Sequence, residues 1–283
     1  MNSEITVIIL SHKSKNLVIN FIQELYNKFE IIIIDNSGDI NLEKEIKHYY
    51  PNINFKIIKN DGYGSAINYA SKFVKTKYFL ISNPDVIGLN EINVNEFVKS
   101  ANKLEDNFSA LGPRFIDANP KSHIQSNELI DIADMKFLSG ACMFFKTETF
   151  NLLGGFDENY FLYFEESDFC LRAYKINKNY QINKIKVSHK VGTSVIVKNK
   201  IEKKELEKLY TWHFIWSKFY YYKKHYGSFY SMIYFFPIFL RILFRITIYT
   251  LSRNYKKREK FIIRFEGLVA SVKGLKSYKR LNN

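Results

Sequence analysis

Asn83-Pro84-Asp85, Glu165-Glu166-Ser167-Asp168 and His189 are the residues of this chain best suited to chemistry. An aspartate just past a strand end can ligate Mg²⁺ or Mn²⁺ through oxygen, though Asn-Pro-Asp also makes a good turn. A neutral imidazole such as His189 suits a borderline ion like Mn²⁺ as a second ligand. Carboxylates in a first helical turn are kept ionised by the helix dipole, and a general base must be ionised. Five carboxylates lie among Asp157, Glu158, Glu165, Glu166 and Asp168, interleaved with Phe156, Phe161, Tyr163, Phe164 and Phe169. A merely solvated acidic face has no need of those rings. Glu165, Asp168 and Arg172 share one helix face by their i, i+3 and i+4 spacing, which also allows a plain Asp168–Arg172 ion pair. Asn60-Asp61-Gly62-Tyr63-Gly64-Ser65 is a glycine-rich turn of the kind whose amides face an anion at a helix start. It lacks the third glycine of a dinucleotide fingerprint and the lysine of a phosphate loop.

The elements that must hold these groups are legible from periodicity. Thr6–Leu10, Ile31–Ile34, Phe55–Ile58 and Tyr78–Ile81 are short apolar runs with no polar alternation, as in strands buried on both faces. Helical patterns over roughly 15–28, 41–50 and 65–76 separate them, which predicts a doubly wound sheet. Ligands then bind beyond the carboxyl ends of the strands. There the sequence carries Ser11-His12, Asp35-Asn36-Ser37, Asn60-Asp61-Gly62 and Asp85. Further on, the pattern predicts a helix over 91–106, a strand Leu138–Lys146, a short helix Thr147–Leu153 closed by Gly154-Gly155, a helix to about Asn177 and a strand over Val187–Val197.

The last third differs. Residues 198–283 carry 20 Lys+Arg and 5 Asp+Glu, a net of +15, out of 42 and 28 in the whole chain, so residues 1–197 carry 22 and 23, a net of −1. The division expected is 1–200 for a nucleotide-binding catalytic domain and 201–283 for a helical, basic, aromatic extension. A helix is predicted over 202–226. Residues 229–251 are strongly apolar, but only 229–240 run without an arginine, short of the about 20 residues a spanning helix needs. An amphipathic segment in an interface is expected there, with Arg241 and Arg245 on one face, or else one docked on the catalytic domain. Cys142 and Cys170 have neither metal-type nor disulfide-type spacing. Met1-Asn2-Ser3-Glu4 lacks the basic start of a secretory signal, so a cytoplasmic location is expected.

Taken together, the residues resemble the family 2 glycosyltransferases, inverting enzymes of the GT-A fold, and within them the bacterial rhamnosyltransferase-like branch. The resemblance runs from Thr6 to about Ser194. It rests on Asp35-Asn36-Ser37, Asn60-Asp61-Gly62-Tyr63-Gly64 with Asn68, Asn83-Pro84-Asp85, Gly140-Ala141, Gly154-Gly155-Phe156-Asp157-Glu158, and Glu165-Glu166-Ser167-Asp168 with Cys170 and Arg172. It implies an α/β GT-A (Rossmann-like) fold, a mostly parallel sheet flanked by helices. It implies that Asp35 reads the nucleotide base with Ser11 and His12, and that Asn60, Gly64, Asn68, Asn83 and Asp85 serve the nucleotide-sugar. Asp85 matches the last acid of the metal motif, and His189 a histidine that completes the site in some members, for Mg²⁺ or Mn²⁺. Glu166 matches the catalytic base. Glutamate stands there where aspartate is usual, so the acceptor sits slightly back or Asp168 shares the role. Asp157, Glu158, Glu165 and Arg172 fall to the acceptor.

The activity implied is transfer of a sugar, L-rhamnose from dTDP-rhamnose in this branch, to a hydroxyl of a glycan acceptor in cell-surface polysaccharide synthesis, and the basic, aromatic tail points to a lipid-linked glycan as that acceptor. The basic tail adds an expected peripheral position on the inner leaflet. Two other classes fit less well. A sugar nucleotidyltransferase needs a glycine-rich basic loop after the first strand, where Ser11-His12-Lys13-Ser14 has no glycine. A protein gripping single-stranded nucleic acid through its tail leaves the acidic cluster unused, so no nucleic-acid partner is expected. Oligomeric state is not encoded in any readable motif.

Overall fold

A computed structural model describes residues 2–117, 124–189, 195, 197 and 199–281. In chain order the elements are β1 (Asn2–Ser11), α1 (Lys15–Gln23), β2 (Phe29–Asp35), α2 (Ile40–Tyr49), β3 (Asn54–Ile57), α3 (Tyr63–Ser71) and β4 (Tyr78–Ser82). There follow β5 (Val86–Ile87), α4 (Glu91–Lys103), β6 (Ala110–Phe115), β7 (Ile132–Asp134), β8 (Cys142–Lys146), α5 (Thr147–Leu152), α6 (Glu165–Ala173) and β9 (Asn179–His189). Three helices close the chain: α7 (Lys200–Tyr226), α8 (Ser228–Leu251) and α9 (Tyr255–Val272). The helices predicted over 15–28 and 65–76 end earlier, at Gln23 and Ser71. Part of the strand predicted over Val187–Val197 lies outside the described residues.

The chain divides into two compact units, Met1–Asp157 with Glu166–Ile196, and Glu158–Glu165 with Val197–Asn283. In the first, the described strands form one sheet in the order β3-β2-β1-β4-β8-β6-β9-β5, with β7 on β9. The first four are parallel, as their apolar runs predict. Beyond β4 the sheet is mixed rather than mostly parallel, because β8 runs antiparallel between β4 and β6 while β6 and β9 are parallel. One face packs Ile5, Val7, Ile31 and Leu80 on α1, α2 and α4. The other packs Ile8, Ile32, Phe79 and Phe145 on α3, α5 and α6. Burial on both faces is why these strands show no polar alternation.

The second unit is a three-helix layer. Asn199 caps α7 by accepting from Ile201 and Glu202, and Gly227 at φ +87° lets the chain turn into α8. Gly267 brings α9 onto α7, since a Cβ there would lie 2.7 Å from the Trp212 carbonyl oxygen. Helix α8 continues through Pro237, although the ring removes the bond to the Ile233 carbonyl. It takes in the whole apolar segment 229–251 and not only the arginine-free run 229–240, and it is long and apolar enough to cross a membrane by length and composition.

Candidate active site

Polar side chains at the ends of β1, β2 and β3 form a ladder. His12 Nδ1 lies 2.7 Å from Asn36 Oδ1, and Asn36 Nδ2 donates to Asn60 Oδ1 at 3.3 Å. Asn60 Oδ1 also accepts the Gly62 N–H at 3.3 Å, just where α3 begins. Strand pairing aligns Ser11 with Asp35, and Asp35 with Ile57, so the three ends arrive level. Ser11 is buried and bonds locally to Ser14. Asp35 is fully buried, and its Oδ1 accepts the Ser37 and Asp39 N–H groups at 2.9 and 3.0 Å while Oδ2 accepts the Ser37 hydroxyl at 3.0 Å. Its first duty is thus to shape the β2–α2 turn. Asn36, which the sequence marks only as part of the Asp35-Asn36-Ser37 strand end, is the central rung of this ladder.

Asn68 has a different task from the expected one. Its Nδ2 donates to the Phe156 carbonyl at 2.8 Å and its Oδ1 accepts the Phe156 N–H at 2.9 Å. Both ends of the amide hold the turn after α5, a positioning role. Gly155 in that turn has φ +68°, and a Cβ there would lie 2.5 Å from Asn68 Oδ1. Only glycine fits both restrictions.

Asp85 sits within a turn closed by the Val86 N–H on the Asn83 carbonyl at 3.2 Å. Val86 pairs with His189, which sets the imidazole Nε2 3.3 Å from Asp85 Oδ1, with side chains 8% and 2% exposed. His189 is anchored by a residue the sequence did not flag. Asp117 Oδ1 accepts the His189 N–H at 3.0 Å, and Asp117 Oδ2 accepts the Ser188 hydroxyl. The Ser188 hydroxyl above all, then the His189 amide, holds the Asp117 carboxyl below its usual range. The parallel register of β6 on β9, Phe115 opposite Val187, delivers Asp117 there. No local motif signals it. The carboxylate oxygen and imidazole nitrogen of the Asp85–His189 pair are the donor types a divalent ion takes. Among the described residues no group of three or more His, Cys, Asp or Glu side chains converges. The pair fits an ion whose other ligands come from a bound molecule.

Glu166 stands in the first turn of α6, half-buried, with Ser167 Oγ donating to its Oε1 at 3.2 Å. Burial pushes its carboxyl above the usual range, against the opposing pull of its own and the Ser167 N–H and the Ser167 hydroxyl. Its aliphatic stem bears on Gly140. The Gly140 carbonyl in turn accepts from Tyr63 Oη at 2.7 Å, and the next carbonyl, that of Ala141, accepts the Asn83 N–H at 2.8 Å. The dipeptide Gly140-Ala141 thus ties Glu166 and the Asn83–Asp85 turn to one segment.

Asp168 and Arg172 do not share in this. Asp168 is fully buried and accepts from Arg172 Nε at 2.9 Å. Arg172 Nη1 and Nη2 donate to the carbonyls of Leu153 and Gly155 at 2.6 and 2.7 Å. The expectations that Asp168 helps as base and that Arg172 binds acceptor are corrected. A fully buried carboxylate already held by the Arg172 guanidinium presents no face to an acceptor, and the pair instead clamps the Gly154-Gly155 turn.

Of the remaining acids, Asp157 is half-buried, Glu158 exposed and Glu165 buried. Glu158–Glu165 belongs to the second unit, where Leu162 O accepts from Ser217 Oγ at 2.8 Å and Phe161 packs on His213 at 4.7 Å between centroids. Tyr163 and Phe164 take φ of +70° and +72° just before α6. Two such aromatic residues in succession are strained, and strain of this kind gathers at functional sites. Cys142 and Cys170 are buried free thiols, pushed up to about 12 by burial.

Comparison with known proteins is consistent with this geometry. A family model described as glycosyl transferase family 2 matches residues 6–180. The chain is similar to the low-salt glycan biosynthesis hexosyltransferase Agl10 of Haloferax volcanii, 23% identical, over 63% of this chain and 64% of that protein. It thus spans somewhat under two thirds of that relative's length. It is also similar to rhamnosyltransferase WbbL of Escherichia coli K12, 26% identical over 59% of this chain and 75% of that protein. Among solved structures it resembles the mannosyltransferase PcManGT of Pyrobaculum calidifontis, in complex with GDP-Man and Mn²⁺, with TM-score 0.56, 13% identity and coverage of 95% and 87%. It resembles S. aureus TarS 1–349 in complex with UDP-GlcNAc with TM-score 0.55, 11% identity and coverage of 96% and 92%. At such identities these likenesses show the fold, which is GT-A.

Proposed function

The chain belongs to glycosyl transferase family 2, and from that premise we propose that it transfers a sugar, with inversion, from a nucleoside-diphosphate sugar to a hydroxyl of a glycan acceptor. The observation that carries this reading is the Gly140-Ala141 segment, which holds Glu166 on one side and the Asn83–Asp85 turn on the other. A base and a leaving-group site must share one rigid frame for an in-line displacement.

Glu166 takes the proton from the acceptor hydroxyl. The oxygen so freed bonds to the anomeric carbon from the face opposite the diphosphate, and the bond from that carbon to the diphosphate oxygen breaks with its electron pair. A single displacement inverts the anomeric centre. Asp85 and His189 would hold Mg²⁺ or Mn²⁺, which when bound supplies Lewis-acid neutralisation of the departing diphosphate. The His12–Asn36–Asn60 ladder and the start of α3 offer donors and backbone amides to the nucleotide, and Asp35 keeps the β2–α2 turn in the shape that receives it. Asp157 and Glu158 are left for acceptor hydroxyls.

L-Rhamnose from dTDP-rhamnose is the donor proposed, supported by the likeness to the E. coli rhamnosyltransferase. A lipid-linked glycan on the cytoplasmic side is the acceptor proposed, supported by the net +15 of residues 198–283. The test is binding and hydrolysis across dTDP-, UDP- and GDP-sugars, with and without Mn²⁺, in wild type and Asp85→Ala. Metal-dependent binding of one donor, lost in the variant, is expected. Absence of binding to every donor under both conditions overturns the reading.

A further inference from the structure

Helix α8 carries two apolar stripes, and among the described residues only one is covered. Phe235, Ile238, Phe239, Ile242 and Ile246 pack with Ile215 and Phe219 of α7 and with Leu268 of α9. Phe229, Ile233, Phe236, Leu240, Phe244 and Leu251 form a second line, each between 48% and 81% exposed. At about 100° per residue they stay within about 40° of one axis. Soluble proteins seldom leave so long a row of large apolar side chains in water unless something covers it.

The surroundings of the row identify what covers it. Arg241, exposed, lies about 100° around the helix from Leu240. Tyr226 and Tyr230 stand exposed at one end. At the other end Arg245 Nη1 donates to Tyr249 Oη at 3.2 Å, and exposed Arg253, Lys256 and Lys257 follow. An apolar line rimmed by cations and tyrosines matches the layering of a bilayer surface, hydrocarbon below and phosphate above. A second copy of the chain fits less well. Isologous pairing would press one cationic rim against another within a segment of net +15. Although α8 is long and apolar enough to span, its inner stripe is occupied by α7 and α9. The latter opens with Lys256, Lys257, Arg258, Glu259 and Lys260, charges that hydrocarbon excludes.

We propose that the outer stripe of α8 lies in the plane of an anionic lipid bilayer, with Phe229, Phe236, Leu240 and Phe244 below the headgroups and Arg241, Arg253, Lys256 and Lys257 on the lipid phosphates. The surface belongs to the second unit alone and does not depend on which sugar the enzyme transfers.

The test is co-sedimentation of the full chain with vesicles of phosphatidylcholine containing phosphatidylglycerol, against phosphatidylcholine alone. Wild type is expected to partition onto the anionic vesicles and to be released by salt. Phe236→Glu with Leu240→Glu should weaken partition by at least about tenfold, the effect of keeping even one large apolar side chain in water. Both residues are exposed, so the melting temperature should hold. Phe244→Cys gives a measurement independent of that variant, because Cys142 and Cys170 are buried and a thiol-reactive polarity-sensitive dye will label position 244. A blue shift on adding anionic vesicles is expected. Unchanged partition of the double variant, absence of the blue shift, or a variant that turns a dimer into a monomer while vesicle binding persists each overturns the proposal.

Discussion

Glu166 rests on Gly140: a Cβ at position 140 would stand 3.2 Å from Glu166 Cβ and 3.3 Å from its Cγ. No side chain fits there without moving the stem that aims the carboxylate. Gly140→Ala should therefore reduce kcat by up to about 10²-fold, the scale of an ångström's misplacement of a reacting group. Donor binding, measured by titration, should be little changed because the ladder at β1–β3 is untouched.

Glu166 must be ionised to act, and burial raises its pKa. The acid limb of the pH–rate profile should then lie above the ordinary glutamate value of about 4.3. Ser167→Ala removes a bond to the charged form and should move that limb higher still. The stability sign is opposite to that of a paired carboxylate. The folded state holds its proton more tightly, so this group lowers stability as pH rises from the unfolded pKa through the raised folded one. Glu166→Gln should cost about 10²–10⁴-fold in activity yet raise the melting temperature at neutral pH. A lower melting temperature would contradict the burial argument.

Arg172→Met should destabilise the protein by about 3–5 kcal/mol, since it leaves the Asp168 carboxylate buried without its guanidinium. At about 2–4 °C per kcal/mol the loss is visible in thermal unfolding. Asp168→Asn should lower stability as well but leave the pH–rate profile in place. A shifted acid limb in that variant would restore Asp168 as a base.

Asp85→Asn keeps the shape of the turn and removes the charge. Its activity should fall by about 10²-fold or more if several kcal/mol of transition-state charge is stabilised there. His189→Ala should raise the Mn²⁺ concentration needed for half activity. Asp117→Asn should do so more weakly, by about 10–100-fold, as partners behind a metal ligand do. A Mn²⁺ titration of the three variants separates these effects.

His213 is buried, with Nε2 2.8 Å from the Lys279 carbonyl and Nδ1 2.9 Å from Ser277 Oγ. Burial above all lowers its pKa to about 4 from 6.5. The unfolded state then binds the extra proton between those values, so stability is full above about pH 6.5 and is lost as pH falls toward 4. The loss is on the order of 3 kcal/mol. Unfolding in denaturant at pH 7 and pH 4 should show it, and His213→Gln should blunt the difference.

The parts of this molecule that local chemistry dictates were legible in the sequence. Thr6–Leu10, Ile31–Ile34 and Tyr78–Ile81 read as doubly buried strands because apolar side chains on both alternations leave no face for water. The turns at Asn60–Gly64, Asn83–Asp85 and Gly154-Gly155 read as turns because glycine, asparagine and proline restrict the backbone locally. The spacing of Asp168 and Arg172 allowed their pair, and residue type made Asp85, Glu166 and His189 candidates. What the sequence could not carry is who meets whom across the sheet. Asn68 grips Phe156 and Tyr63 grips Gly140, 88 and 77 residues away in the chain. Asp117 reaches His189 only because β6 and β9 pair in one register, and β8 turns the sheet mixed by entering antiparallel. Burial of Asp168 made it a clamp where its type alone suggested a base. Strand order, register and burial are set by the packing of the whole core, and an individual segment's pattern carries no record of its partner.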